Sequence, residues 1–150
     1  MRKPISFFLF LSFLLLLSGC EGPSLGNSNV KKEYFPNGQI RSEFIMSDKT
    51  GMNGLLKLYG PDEELTSTVT IHNGVKDGIE KLYDEEGRVL KTTPYVNGKK
   101  HGYEKGYFPN GDVWFMLPYK NGVLNGKAYM YRQDGTLVRE ATYKEGRIID

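Results

Sequence analysis

Apolar and polar positions along this chain recur every 24 residues. One apolar column runs Ile40, Leu65, Val89, Val113 and Leu137. A second, four residues on, runs Phe44, Val69, Thr93, Leu117 and Ala141, and a third, two further on, runs Met46, Ile71, Tyr95, Tyr119 and Tyr143. Even spacing within a unit is the period of a strand, so all three columns are expected on one sheet face. Tyr59, Tyr83, Tyr107 and Tyr131 keep the same register, as do Gly54, Gly78, Gly102 and Gly126, and Gly74, Gly98, Gly122 and Gly146.

Turn signals separate the strand-like runs. Asn-Gly or Asp-Gly pairs stand at Asn37, Asn73, Asn97, Asn110, Asn121 and Asp134, and such pairs supply the positive φ angles of tight hairpins. The prediction is an all-β chain, an antiparallel β-meander of about five 24-residue β-hairpin repeats. Three buried side chains per unit offer less than ~10 kcal/mol. Ordering 24 residues costs about 36 kcal/mol, so no unit stands alone and each must lean on its neighbours. Pro94 and Pro118 fall inside strands and predict a bulge or break there. Glu63 replaces a hairpin glycine, which predicts a different turn at Gly60-Pro61-Asp62-Glu63. The unit at residues 31–53, with one extra residue and Lys49 in place of a turn glycine, is expected to cap the array.

The N-terminus changes the charge picture. Arg2 and Lys3 precede an apolar run over residues 5–17, too short to read first as a spanning helix, which predicts a cleaved export signal over residues 1–19. Leu17-Ser18-Gly19-Cys20 resembles the lipobox of bacterial lipoproteins, which implies an acylated Cys20 as the mature N-terminus. Cleavage removes two of the 20 basic residues and none of the 18 acidic ones, leaving a formally neutral chain. No basic field then argues for nucleic acid. The Gly/Ser/Asn-rich residues 20–30 read as a flexible tether, and residues 31–150 as the repeat domain. Glu21 in place of an Asp after the Cys leans toward an outer-membrane or surface location by the same resemblance. With one cysteine there is no disulfide framework and no thiolate metal site.

Gly78, Tyr83, Gly87, Tyr95, Gly98 and Gly102, and the same set from Gly102 to Gly126, resemble the variant form of the MORN repeat, over roughly residues 31–150. The resemblance implies a MORN-like single curved sheet of successive hairpins, with an aromatic-rich face in a recognition or scaffolding role. Bacterial chains of this kind are often grouped in a YwqK-like antitoxin family. An exported lipoprotein meets no toxin in its own cytoplasm, so that role requires an extracytoplasmic toxin.

Candidate contacts follow from the columns. Trp114 breaks the repeat, and together with Met116, Leu90 and Val138 it predicts an outward apolar patch for a protein partner, set against burial under the tether or within the sheet. Tyr59, Tyr83, Tyr107 and Tyr131 are either a binding stripe or the repeat's own packing. His72 and His101 lack partners at ligand spacing, and Asp62-Glu63-Glu64 and Asp84-Glu85-Glu86 read as solvated hairpin tips. No nucleophile elbow or phosphate loop is present, and neither an enzyme, a metal nor a cofactor is expected. Two functions remain: a lipid-anchored module binding an as yet unidentified protein, or an envelope-organising protein touching lipid headgroups or glycan.

Overall fold

The computed structural model describes residues 29–150; the expected export signal, Cys20 and most of the expected tether lie outside the described residues. Five hairpins follow one another: β1 Val30–Tyr34 with β2 Ile40–Met46, β3 Gly54–Tyr59 with β4 Leu65–His72, β6 Gly78–Tyr83 with β7 Val89–Val96, β9 Gly102–Tyr107 with β10 Val113–Lys120, and β12 Gly126–Tyr131 with β13 Leu137–Lys144. Four two-residue strands fold back on the second strand of their unit: β5 Val75–Lys76, β8 Lys99–Lys100, β11 Val123–Leu124 and β14 Arg147–Ile148. The result is one open antiparallel sheet of 14 strands in sequence order.

The two ends of each unit use glycine differently. At Asn73-Gly74, Asn97-Gly98 and Asn121-Gly122 both residues have positive φ, the two-residue turn that matches strand twist. At the opposite tips only the glycine does. There Asn110 Oδ1 accepts from the Asp112 N–H at 3.1 Å, while Gly111 N donates to Phe108 O and closes a three-residue loop. Glu63 overturns the expected departure: Glu63 N donates to Gly60 O at 3.1 Å and Gly60 N to Glu64 O at 2.9 Å, the same loop, with Glu63 itself at φ 64°. Units are stitched through the two-residue turns. Gly98 N donates to Lys76 O, Gly122 N to Lys100 O and Gly146 N to Leu124 O, each at 2.8 Å.

Two strand expectations need correction. Pro94 and Pro118 lie within continuous strands, opposite Ile79 and Tyr103, with no shift of register. Their carbonyls accept from His101 N and Asn125 N on the side where the ladder to the next unit has given way to the short strand, so the missing N–H faces no ladder partner. Thr142 holds the same place, and its N–H turns to a side chain, Asp150 Oδ1 at 2.8 Å. The register shifts instead one residue into the second strand of all five hairpins, where the extra residue is Arg41, Thr66, Leu90, Trp114 or Val138.

That bulge reverses the faces. Val89 pairs with Tyr83, and Thr92 with Lys81, on one face; Thr93 pairs with Glu80, and Tyr95 with Gly78, on the other. The three apolar columns therefore do not share a face: the Val89 column joins the tyrosines, and the Thr93 and Tyr95 columns lie opposite. Burial concentrates on the Thr93 side, where Val69 and Thr93 are each 2% exposed, yet Val69 and Ala128 are the only buried hydrophobics among the described residues. With so small a core, ladder bonds and neighbour stacking hold the array together.

Candidate binding surface

The tyrosine column is tied into the sheet one unit upstream. The Tyr59 hydroxyl donates to Glu43 Oε2 at 2.7 Å; Tyr83 meets Thr68 Oγ1 at 3.2 Å and Tyr107 meets Thr92 Oγ1 at 3.0 Å. Burial pushes the Tyr59 hydroxyl up to about 12, helped by the Glu43 carboxylate, while Lys32 and then Tyr59 hold Glu43 below its usual range. Upstream of Tyr131, the last of the column, Met116 of β10 occupies the Glu43/Thr68/Thr92 place. Tyr131 there lines an open groove with Met116, Val113 and the Asp134-Gly135 tip. The same groove recurs one unit earlier between Tyr107, Thr92, Val89 and the Asn110-Gly111 tip.

Trp114 sits on the bulge and is 45% exposed, as is Leu90, with Val138 at 50%. Its ring meets Phe115 edge-on at 5.3 Å and Phe108 at 6.2 Å. Phe115 fits only because its partner across the ladder is Gly106: a Cβ there would lie 2.2 Å from Phe115 Cε1. The second hairpin reverses the sizes, with Leu58 opposite Ser67. Bulge residues two strands apart are spaced ~10 Å, so Leu90, Trp114 and Val138 form an exposed line roughly 20 Å long. Met116 is half-buried and belongs to the Tyr131 groove, which Trp114 does not line.

The opposite face carries an ionic device not legible in the columns. Lys76 bonds Glu80 at 2.5 Å and lies 5.0 Å over the Tyr95 ring; one unit on, Lys100 bonds Glu104 at 2.5 Å and lies 4.6 Å over Tyr119. Glu104, 5% exposed, also accepts from Thr93 Oγ1 at 3.0 Å. Burial pushes its carboxyl up, but the Lys100 and Thr93 hydrogen bonds outweigh this and hold it below the usual range. Burial likewise lifts the Tyr95 hydroxyl to about 12, with Glu80 adding to it. A buried carboxylate so fully partnered is a structural group. A signal existed in hindsight: lysine and glutamate four residues apart, repeated at 24, around the strand-start glycine.

His72 and His101 are exposed, with His72 Nδ1 3.3 Å from Asn73 Nδ2 and His101 N bonded to Pro94 O. Asp84 closes its own tip, accepting from Arg88 N at 2.8 Å and Arg88 Nε at 2.6 Å, and Glu64 bonds Asp62 N at 3.1 Å. Among the described residues no three His, Cys, Asp or Glu side chains converge, and no helix is long and apolar enough to cross a membrane.

The family model described as MORN repeat variant matches residues 29–47, 76–97, 100–121 and 124–145, more than half of the chain. The unmatched stretch at residues 48–75 holds the irregular loop before Gly54 and the hairpin in which Glu63 replaces the tip glycine, although that hairpin folds like the others. No curated protein sequence matches the chain.

Proposed function

The chain belongs to the MORN repeat variant family, and from that premise we propose a protein-binding module held at the bacterial cell envelope by acylated Cys20. The observation that carries the reading is Trp114, a large ring left 45% exposed on a single-layer sheet and braced by Phe108 and Phe115. A braced ring loses little side-chain entropy on contact, and exposed tryptophans anchor interfaces. Tyr59, Tyr83 and Tyr107 already spend their hydroxyls inside the sheet, so the contact is assigned to the Leu90–Trp114–Val138 line and the Met116–Tyr131 groove beside it. An immunity-like role against a toxin fits this placement only for a toxin acting outside the cytoplasm.

The test is affinity capture by the full chain in detergent from envelope fractions, with Trp114→Ala as comparison. One stoichiometric partner, at least tenfold depleted by the substitution while the circular dichroism spectrum is unchanged, is the expected result. Capture unaffected by Trp114→Ala removes the proposed surface. Enrichment of lipid or glycan with no protein supports the envelope-organising alternative. Incorporation of a labelled fatty acid, lost in Cys20→Ser, checks the anchor separately.

A further inference from the structure

Units stacked by one rule leave two ends that obey it. From the second unit on, the second strand of a unit meets the first strand of the next at two positions, as in Lys91 opposite Gly106 and Thr92 opposite Lys105; the first junction, β2 with β3, includes the same two places within a longer ladder. By the repeat, β13 offers Arg139 and Glu140 at those places, and β1, whose Tyr34 stands in the Tyr107 column, offers Glu33 and Lys32. A second copy docking its β1 on β13 as the next unit thus sets Glu33 opposite Arg139 and Lys32 opposite Glu140, opposite charges at both positions.

The chain contains a precedent. Where β2 meets β3, Glu43 stands opposite Lys57 and accepts from the Tyr59 hydroxyl at 2.7 Å. Glu140 already takes Lys127 of its own hairpin, as Glu43 takes Lys32, so a Tyr34 hydroxyl donating to Glu140 repeats the Tyr59–Glu43 bond across the two copies, with Lys32 in the register place of Lys57. Glu33 Oε2 already takes Arg41 and Ser42 within its own chain, which leaves Oε1 to face Arg139. Among the described residues nothing pairs with the outer edge of β1, and β14 takes only Tyr143 and Lys144 of β13, as β8 takes only Tyr95 and Val96 inside the array. Tyr34 is 56% exposed, whereas Tyr59, Tyr83 and Tyr107 are half-buried beneath a neighbour. Charged edges ordinarily deter strand addition, but here their signs match in register.

We propose that this chain self-associates head to tail, β1 of one copy continuing the sheet at β13 of another. The contact is heterologous and leaves both outer ends open, so it propagates into linear arrays.

Sedimentation velocity of the full chain in detergent is the test. The average mass should rise with protein concentration and fall with added salt. Arg139→Glu alone and Glu33→Arg alone should each weaken association roughly tenfold, because like charges then meet across the junction. An equimolar mixture of the two should associate like the wild type, since each reversed side chain finds an opposite; this rescue also shows that both variants fold. A wild type of constant size, single variants that associate as tightly as the wild type, or a mixture that stays dissociated each overturns the proposal.

Discussion

Gly106→Ala isolates one steric contact. Gly106 has no positive φ, so an alanine there meets no backbone penalty, and the whole cost is the added methyl, 2.2 Å from Phe115 Cε1 and 2.7 Å from Cδ1 and Cζ. The ring cannot swing aside freely, because Trp114 lies edge-on against it at 5.3 Å. Overpacking of this kind costs about 1 to 3 kcal/mol, and the entropy removed from the unfolded chain returns ~0.4 to 1. The net loss centres on roughly 1.3 kcal/mol and reaches at most about 2.6, which is about 5 °C and at most about 10 °C in thermal midpoint for a domain of this size. Thermal unfolding followed by the fluorescence of Trp114, the sole tryptophan, reads both stability and the ring's surroundings. Gly106→Leu combined with Phe115→Ser recreates the Leu58/Ser67 pair and should recover most of the loss seen in Gly106→Leu alone. An unchanged midpoint and emission in Gly106→Ala would refute the claim that the glycine exists to admit Phe115.

Gly102→Ala should cost more than Gly111→Ala: both have positive φ, but the new Cβ at Gly102 lies 3.2 Å from Pro94 Cγ, whereas Gly111 has nothing within 4 Å. Equilibrium denaturation should separate them, with a loss of roughly 1 to 3 kcal/mol at Gly102, and equal losses would show that the Pro94 contact is idle. Glu104 predicts an acid limb. Its folded carboxyl titrates below the ordinary value of 4.5, so its contribution is complete above that value and is lost as pH falls through the depressed folded range. Wild-type stability should drop more steeply below about pH 4.5 than that of Glu104→Gln, and parallel acid limbs would contradict the pairing with Lys100.

The period, the hairpins and the glycine-bearing turns were legible in the sequence because each is a local demand: Asn97-Gly98 needs positive φ wherever the chain lies, and alternation over six residues reads as a strand. Those demands fix an open antiparallel meander. They leave open which face a residue takes, because one bulge in each hairpin, a tertiary choice of register, inverts parity between Val89 and Thr93 and separates Trp114 from Met116. The proline positions depart from expectation for a related reason. Pro94 would break a strand hydrogen-bonded on both sides, but here the neighbouring unit has withdrawn its ladder at that residue. The tyrosine-to-threonine bonds, the seat of Lys100 over Tyr119 and the fit of Phe115 over Gly106 join residues 9 to 19 positions apart along the chain. Spacing along the chain names such partners only after strand pairing has set them side by side. Sequence determined the unit and its repetition; only the tertiary structure decided what each unit buries, what it presents, and which strand it leaves open for another.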